Sequence, residues 1–178
     1  MRRPGAEVFP CSRYHSQADL YDFVKTATLC RFRFNAEAAS KPGMLMLNDV
    51  SVLVVDDDPA IRALITTLLN RTHAKVDCVE DGDVAMTRLG SQSYSVIVLD
   101  LMLPKVDGFE VLDRVASTQP DLLNRVIVLT AVARTKLAPL ERRRVWRVMR
   151  KPFDIDDFTN AVAQCAAQPE VKEVSHAT

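Results

Sequence analysis

The chain has 178 residues, of which 48% are hydrophobic and 26% charged, and its 23 basic side chains balance its 23 acidic ones. This composition fits one globular domain with a modest extra segment, and it excludes wholesale disorder and a fibrous repeat. The longest apolar runs, such as 52–55 and 96–99, fall far short of the ~20 residues that cross a bilayer, and no signal-peptide core follows Arg2 and Arg3, so we expect a cytoplasmic protein.

Residues 1–47 differ in pattern from the rest of the chain. Apolar residues recur near helical spacing over 18–34, which predicts one amphipathic helix. Small and polar residues followed by Pro and Gly over 38–43 are typical of a linker. We therefore treat 1–47 as an N-terminal extension, with Met44 or Met46 as an alternative start of the natural protein.

From residue 48 to 168, short β-rich apolar runs alternate with helix-like segments, which predicts a parallel α/β sheet. The predicted strands are 50–55, 75–79, 95–100, 125–130 and 145–149. The predicted helices are 59–70, 82–90, 107–118, 135–144 and 154–167. Asp58 stands where an N-cap residue is expected, and the last helix opens with Asp154, followed three residues later by Asp157, which places acids at the positive end of the helix dipole. The polar residues 169–178 are expected to form a disordered tail.

Basic side chains concentrate over 134–151, where eight lysines and arginines accompany a single acid, Glu141. The segment is short and holds one aromatic residue, Trp146, so its pattern favours a solvated or partner-binding face over a nucleic-acid surface. The four cysteines and three histidines are scattered without the spacing of zinc ligands, and they predict neither a metal centre nor a disulfide framework.

Polar groups follow the ends of the predicted strands. Asp56 and Asp57 follow the first strand, Asp100 the third, Thr130 ends the fourth and Lys151 follows the fifth. In an open parallel sheet such groups collect at the carboxyl edge, beside the point where the strand order reverses. If the order is 2-1-3-4-5, the first and third strands are neighbours, and the three acids lie close together.

Three neighbouring carboxylates repel one another unless a cation neutralises them, and Mg2+ suits a shallow site with oxygen ligands. Thr130 and Lys151 can then bind the oxygens of a phosphoryl group placed on a carboxylate. Taken singly, each group has a structural alternative: the acids at 56–58 can cap the next helix, and the segment 151–153 can be a loop with an apolar anchor. Their joint occurrence at one sheet edge favours a functional site.

Four segments resemble the receiver domain of bacterial two-component response regulators, in the family's order and over residues 48–168. They are VLVVDDDP (52–59), VIVLDLMLPKVDG (96–108), VIVLTA (126–131) and KPF (151–153). The resemblance is to single-domain receivers of the chemotaxis-regulator type. It implies a flavodoxin-like, doubly wound sheet of five parallel strands in the order 2-1-3-4-5, with five helices.

The resemblance also implies the chemistry of the site. Asp100 would accept a phosphoryl group from a phosphohistidine on a sensor kinase. Asp57, Asp100 and the backbone carbonyl of Met102 would bind Mg2+, and Asp56 would contribute through a bound water. Lys151 would contact a phosphoryl oxygen.

Other positions carry over to the signalling step. Thr130 would move towards the phosphate, with the small Ala131 leaving access to it, and Pro152 stands at the family's usual cis-proline position. Val148 departs from the pattern, because the family usually has Tyr or Phe three residues before the lysine, and Pro139 lies unusually within the fourth helix.

We expect a stand-alone phosphoryl-accepting switch whose catalytic action is limited to its own Mg2+-dependent phosphorylation and dephosphorylation. The expected partners are a sensor histidine kinase or a histidine phosphotransfer protein, and a downstream protein bound through the face 134–157. That face can also pair two copies. Two alternatives stay open: a scaffold that does not switch, because of Val148, and a phosphorelay intermediate. By the resemblance, Met102 and Val132 stand where the family tunes hydrolysis of the phosphate, and because both are apolar we expect a longer phosphate lifetime.

Overall fold

The structure is a computed structural model that describes residues 46–133, 137–141 and 143–168. The predicted extension 1–47, except for its last two residues, lies outside the described residues, as does the tail 169–178. No helix in the described part of the chain is long and apolar enough to cross a membrane.

Five parallel strands form one sheet in the order β2-β1-β3-β4-β5, which confirms the predicted order. Their bounds agree with the predicted ones to within two residues. They are β1 Ser51–Val55, β2 Lys75–Val79, β3 Val96–Leu99, β4 Val126–Thr130 and β5 Arg147–Arg150. The sheet order therefore reverses between β1 and β3, and β5 is an edge strand.

The described ranges contain five α-helices, which are α1 Pro59–Asn70, α2 Gly82–Ser91, α3 Gly108–Thr118, α4 Ala138–Glu141 and α5 Ile155–Ala166. Among the described residues α4 is a single turn, shorter than the predicted 135–144. A 3-10 helix, Pro120–Arg125, follows α3 and was not predicted. Pro120 has no N–H with which to continue α3, and the burial of Leu123 draws the segment onto the core.

Four helices begin after an aspartate whose side chain accepts a backbone hydrogen bond from the first turn: Asp58, Asp81, Asp107 and Asp154. Each bond satisfies one of the amides that a helix leaves unpaired at its N-terminus. The N-cap prediction at Asp58 is confirmed, whereas Asp154, predicted as the first residue of the last helix, is its N-cap. Because each cap directly follows a strand-to-helix loop, the caps also fix where these loops end.

Helices cover both faces of the sheet, so β1, β3 and β4 are buried on both sides. Val52 and Val54 of β1 pack in the cluster that includes α1 and α5, whereas Leu53 and Val55 pack in the cluster that includes α2 and α3. Nearly continuous apolar strands are the consequence of this double cover. The first polar residue after each buried strand therefore lies at the carboxyl edge.

Candidate functional site

The three acids that follow β1 have three different positions. Asp56 is buried, with 2% of its surface exposed, and its Oδ1 accepts a hydrogen bond from the Asp58 amide at 3.0 Å. Asp57 is exposed. Asp58 caps α1 through the Ala60 amide at 2.8 Å. The capping alternative for this triplet therefore holds for Asp58, and the other two carboxylates remain available to a ligand.

Asp100 follows β3 and is also buried. Its amide donates to the Val55 carbonyl at 2.9 Å, which ties the end of β3 to the end of β1. Its Oδ1 accepts from the Met102 amide at 3.1 Å. Gly108, the first residue of α3, lies so close that a Cβ there would be 2.2 Å from the Asp100 carbonyl oxygen. Only glycine fits at this position without a backbone shift.

Lys151 joins the two buried carboxylates. Its Nζ lies 2.6 Å from Oδ2 of Asp56 and 2.6 Å from Oδ2 of Asp100. Its amide donates to the Thr130 carbonyl at 2.8 Å, and the Lys151–Pro152 peptide bond is cis, as the family resemblance implies. The lysine side chain is mostly buried, with 16% exposed. One ammonium therefore bridges residues that are 95 and 51 positions away in the sequence.

The charges of this cluster are strongly interdependent. Burial and, to a smaller extent, the neighbouring Asp100 raise the pKa of Asp56 to about 6, against the opposing effects of Lys151 and the Asp58 amide. Burial lowers the pKa of Lys151, but its contacts with Asp56 and Asp100 outweigh burial, and its pKa lies above the usual value. The lysine is thus a fixed positive charge, whereas Asp56 titrates within the range of ordinary buffers.

Three carboxylates at this edge have the arrangement of a cation site. Asp56, Asp57 and Asp100 each offer an oxygen, and these oxygens lie within 4.8 Å of one another. Hard divalent cations prefer carboxylate and carbonyl oxygens, and Mg2+ keeps several waters in such open sites. Met102 is 61% exposed, next to Asp100 in the chain. The donor set therefore fits the predicted Mg2+.

Thr130 lies at the same edge but is not bonded to the carboxylates. β4 pairs with β3 up to Val128 opposite Leu99, so Thr130 stands near the end where Asp100 lies. Its side chain is fully buried, and its Oγ1 accepts from the Val132 amide at 3.1 Å. The predicted groups are thus brought to one edge, with Lys151 and the acids in contact and Thr130 beside them.

Two side chains that support the site were missed by the sequence reasoning. Nη1 of Arg62 donates to the backbone carbonyl of Asp56 at 2.6 Å, and its Nη2 lies 3.8 Å from Glu80. Nζ of Lys105 lies 2.6 Å from Oδ2 of Asp81. The available signal was weak: Arg62 lies on α1, one turn after the Asp58 cap, and Asp81 precedes a predicted helix.

In β5, Val148 occupies the position where an aromatic residue is usual in the family that the sequence resembles. Val148 is 37% exposed and contributes nothing to the core. Nearby, Arg143 points towards α3: its Nη2 lies 2.5 Å from Asp113, its guanidinium lies 5.7 Å from the centre of the Phe109 ring, and its Nη1 is buried without a hydrogen-bond partner among the described residues. Arg143 is therefore a contact between α3 and the segment before β5.

A family model, the response regulator receiver domain, matches residues 52–163. The transcriptional regulatory protein TcrA of Mycobacterium tuberculosis is 34% identical over 114 residues, which are 63% of this chain and 44% of TcrA. The response regulator receiver protein CpdR of Brucella abortus is 28% identical over 112 residues, 62% of this chain and 92% of CpdR. This chain thus spans less than half of TcrA but nearly the whole of CpdR.

The chain is also similar in structure to a solved response regulator. The response regulator protein TrrA of Thermotoga maritima, crystallised in complex with Mg(2+)-BeF, is 26% identical and superposes with a TM-score of 0.58. The superposition covers 65% of this chain and 98% of that one. The family match over residues 52–163 includes the strands of the sheet, apart from Ser51, and its carboxyl edge.

Proposed function

This chain belongs to the response regulator receiver domain family, and from that membership we propose that it is a phosphoryl-accepting switch in which Asp100 is the acceptor. The observation that carries the proposal is the bridge of Lys151 between Asp56 and Asp100, with Asp57 exposed beside them. A nucleophilic carboxylate, a cation site and a fixed positive charge are the parts that phosphoryl transfer to a carboxylate needs.

Mg2+ is the cofactor that this donor set fits. Asp57, Asp100 and the Met102 carbonyl would hold the ion, and Asp56 would contribute through a bound water. The open side of the site at Asp57 and Met102 suits an ion that keeps several waters. Mg2+, when bound, neutralises charge on the carboxylates and on the phosphoryl oxygens.

The proposed reaction starts from a phosphohistidine on a partner protein. An oxygen of Asp100 attacks phosphorus, the P–N bond to the imidazole breaks, and its electron pair stays on the imidazole nitrogen. The product is an acyl phosphate on Asp100. The proposed catalytic action of the chain is its own phosphorylation and the later hydrolysis of the acyl phosphate, in which water regenerates the Asp100 carboxylate and inorganic phosphate leaves.

Lys151 and Thr130 bind the phosphoryl group after transfer. The Lys151 ammonium is already within hydrogen-bond distance of Asp100, so it can pair with an oxygen of the group that Asp100 accepts. Thr130 can turn its hydroxyl from the Val132 amide towards that group, because both lie at one edge. Movement of Thr130 would then report phosphorylation to the segment after β4.

The test is the mass of the intact protein after incubation with Mg2+ and a small phosphodonor. We expect one added phosphoryl group in the native protein, none in Asp100→Asn, and none when EDTA removes the metal. An adduct that persists in Asp100→Asn would refute the assignment of the acceptor. An adduct that forms equally well in EDTA would refute the role of Mg2+.

We infer that the phosphodonor partner is a sensor histidine kinase or a histidine phosphotransfer protein in the cytoplasm. Transfer of labelled phosphate from a purified phosphohistidine protein to Asp100 tests this inference. The direction of transfer separates the switch from a phosphorelay intermediate. Loss of label from the chain to a second histidine protein would favour the intermediate.

The surface formed by the described residues within 134–157, here called the output face, is the proposed site for a downstream partner or a second copy. Exposed Arg144 and Arg150 and exposed Asp156 give it mixed charge. Arg143 is excluded from this surface because it packs on α3. Replacing Arg144 and Arg150 by Glu should weaken partner binding or dimer formation while phosphorylation of Asp100 stays unchanged.

A second candidate function, a scaffold that does not switch, is favoured by one observation. Val148 is a small, partly exposed side chain at the position where the family has an aromatic residue. Such a side chain cannot fill and vacate a pocket as an aromatic ring does. Equal partner affinity with and without phosphorylation would support the scaffold, and a difference of tenfold or more (about 1.4 kcal/mol) would support the switch.

A further inference from the structure

The loop between β3 and α3, residues 101–107, has an unusual backbone at Lys105. Its φ is +65°, in the left-handed region that glycine and asparagine adopt more readily than lysine. The loop is otherwise anchored by the buried side chains Leu101, Leu103 and Val106. A lysine in this conformation needs a contact that compensates for the backbone, and such outliers cluster at functional sites.

That contact is an ion pair with the second helix. Nζ of Lys105 lies 2.6 Å from Oδ2 of Asp81, whose side chain is only 4% exposed. The other oxygen of Asp81 accepts from the Val84 amide at 2.9 Å as the N-cap of α2. Burial raises the pKa of Asp81, but the hydrogen bond from Lys105 and the cap outweigh burial, and the pKa lies below the usual value.

The loop also rests directly on the start of α2. A Cβ on Gly82 would lie 2.5 Å from the Val106 carbonyl oxygen, so the backbones of the loop and of the helix are in close contact. At its other end the loop meets Asp100, because Gly108 packs against the Asp100 carbonyl and donates to the Leu101 carbonyl at 3.0 Å. The loop is therefore held between the phosphoacceptor and α2.

We propose that Lys105 is a positioning residue: its ion pair with Asp81 holds the loop 101–107 on α2 and thereby sets the position of the Met102 carbonyl for Mg2+. The inference rests on the proposed function, since it concerns a ligand of that Mg2+ site. Met102 lies only three residues before Lys105 and is itself exposed, so the loop's attachment to α2 decides where its carbonyl lies.

The variants Lys105→Met and Asp81→Asn remove the pair from its two sides, and Asn keeps the capping ability of Asp81. Mg2+ affinity is measured by calorimetry on the full chain. We expect a weakening of about threefold in each single variant, the size expected for one partly exposed ion pair. The double variant should be no weaker than either single one, because both remove the same interaction. Lys105→Arg should restore the native affinity.

The two single variants also distinguish a positioning role of Lys105 from a purely electrostatic effect of its charge on the bound cation. Without a positioning role, loss of the Lys105 charge would strengthen binding of a cation, and loss of the Asp81 charge would weaken it. Positioning predicts weakening in both. Asp83→Asn is the matched control, because it removes an acidic charge near Lys105 and breaks the exposed pair of α2 with Arg114, at 3.4 Å, but leaves the Lys105–Asp81 pair in place.

Amide exchange in the metal-free protein gives a readout that does not depend on Mg2+. The amides of 101–107 should exchange faster in Lys105→Met and Asp81→Asn than in the native chain, and those of Asp83→Asn should not. Unchanged Mg2+ affinity in Lys105→Met and Asp81→Asn would overturn the inference. If the native chain binds no Mg2+, the proposed function fails, and unchanged exchange in the loop would then overturn the inference by itself.

Discussion

The acidic site, formed by Asp56, Asp57, Asp100 and Lys151, and the output face differ in how their side chains are held. In the acidic site each buried carboxylate has two partners, a backbone amide on one oxygen and the Lys151 ammonium on the other. On the output face the edge strand β5 presents Val148 to solvent, and Arg147 pairs with Asp157 in an exposed contact at 2.9 Å.

The two regions differ in how strongly each charged side chain depends on its partners. In a buried cluster the loss of one partner leaves a desolvated charge behind, whereas an exposed pair exchanges its partner for water at little cost. The acidic site should therefore respond strongly to single substitutions. The output face should tolerate them in stability and respond mainly in binding.

The largest effect on stability is expected for Lys151→Met. It leaves Asp56 and Asp100 buried without their ammonium, and we expect the free energy of unfolding to fall by about 3 kcal/mol at pH 8 in the metal-free protein. Urea unfolding measures the change. The loss should be smaller at pH 5, where Asp56, with its raised pKa, takes up a proton.

The matched control is Lys75→Met, because Lys75 and Asp49 form a fully exposed pair at 3.8 Å. Its effect should stay within about 0.5 kcal/mol. If Lys151→Met and Lys75→Met lower the free energy of unfolding equally, the buried site does not depend on its charge partners more than the exposed surface does.

Gly108→Ala should be the next most harmful change. Its Cβ would meet the backbone of Asp100 and Leu101 at 2.2 and 2.6 Å, so the loop after Asp100 must move. We expect a loss of about 2–3 kcal/mol by urea unfolding, together with slower phosphorylation.

Gly90→Ala is the counterpart in a helix away from the site. No atom lies within 4 Å of a Cβ there, and alanine favours the helix, so we expect a gain of about 0.5–1 kcal/mol. A stable, normally phosphorylated Gly108→Ala protein would contradict the tight packing between α3 and Asp100.

The pH dependence of Mg2+ affinity should be of intermediate size. Asp56 must be ionised to support the ion, and its pKa is about 6, so affinity should fall about tenfold between pH 7 and pH 5. The stability of the metal-free protein depends on pH in the opposite direction to the Mg2+ affinity. Between 3.8 and about 6 the folded, metal-free protein binds a proton that the unfolded chain has released, so its stability decreases as the pH rises through this range.

Calorimetry at pH 5 and 7 measures the affinity, and urea unfolding at pH 4 and 7 measures the stability. In Asp56→Asn, the Mg2+ affinity and the stability should both depend much less on pH than in the native chain. A Mg2+ affinity that does not change over this range would exclude Asp56 from the cation site.

The smallest change in stability is expected for Val148→Tyr, within about 0.5 kcal/mol, because the side chain is partly exposed. Its interest lies in signalling. Upon phosphorylation, amide exchange in the native chain should change more in the loop 101–107 than in β5. The tyrosine variant should raise the change in β5, and an unchanged β5 would show that an aromatic at this position is not sufficient for coupling.

Much of the fold was predictable because its local signals agree. The apolar strands, the aspartate N-caps and the alternation of strand and helix indicate the parallel sheet, and the confirmed order follows from the family resemblance. The 3-10 helix after α3 was missed, because its signal is one proline and one buried leucine. The fourth helix was predicted too long: among the described residues it begins at Ala138, because Pro139 fits only in the first turn of a helix, and residues 143 and 144 lie outside it.

For the site, the sequence by itself determined which polar groups end the strands and hence which of them meet at one edge. It placed Asp56, Asp57, Asp100, Thr130 and Lys151 there, because parallel strands bring their carboxyl ends together. Only the tertiary structure decided which of these groups touch. Lys151 bridges two carboxylates, while the Thr130 hydroxyl bonds to the backbone instead.

The supporting contacts were likewise decided by packing. Lys105 with Asp81, and Arg143 with Asp113, join residues 24 and 30 positions apart, on elements whose relative placement depends on how helices seat on the sheet. No sequence period links such pairs, because long flexible side chains reach whichever partner the packed backbone brings within a few ångströms. The burial that raises the pKa of Asp56 has the same origin.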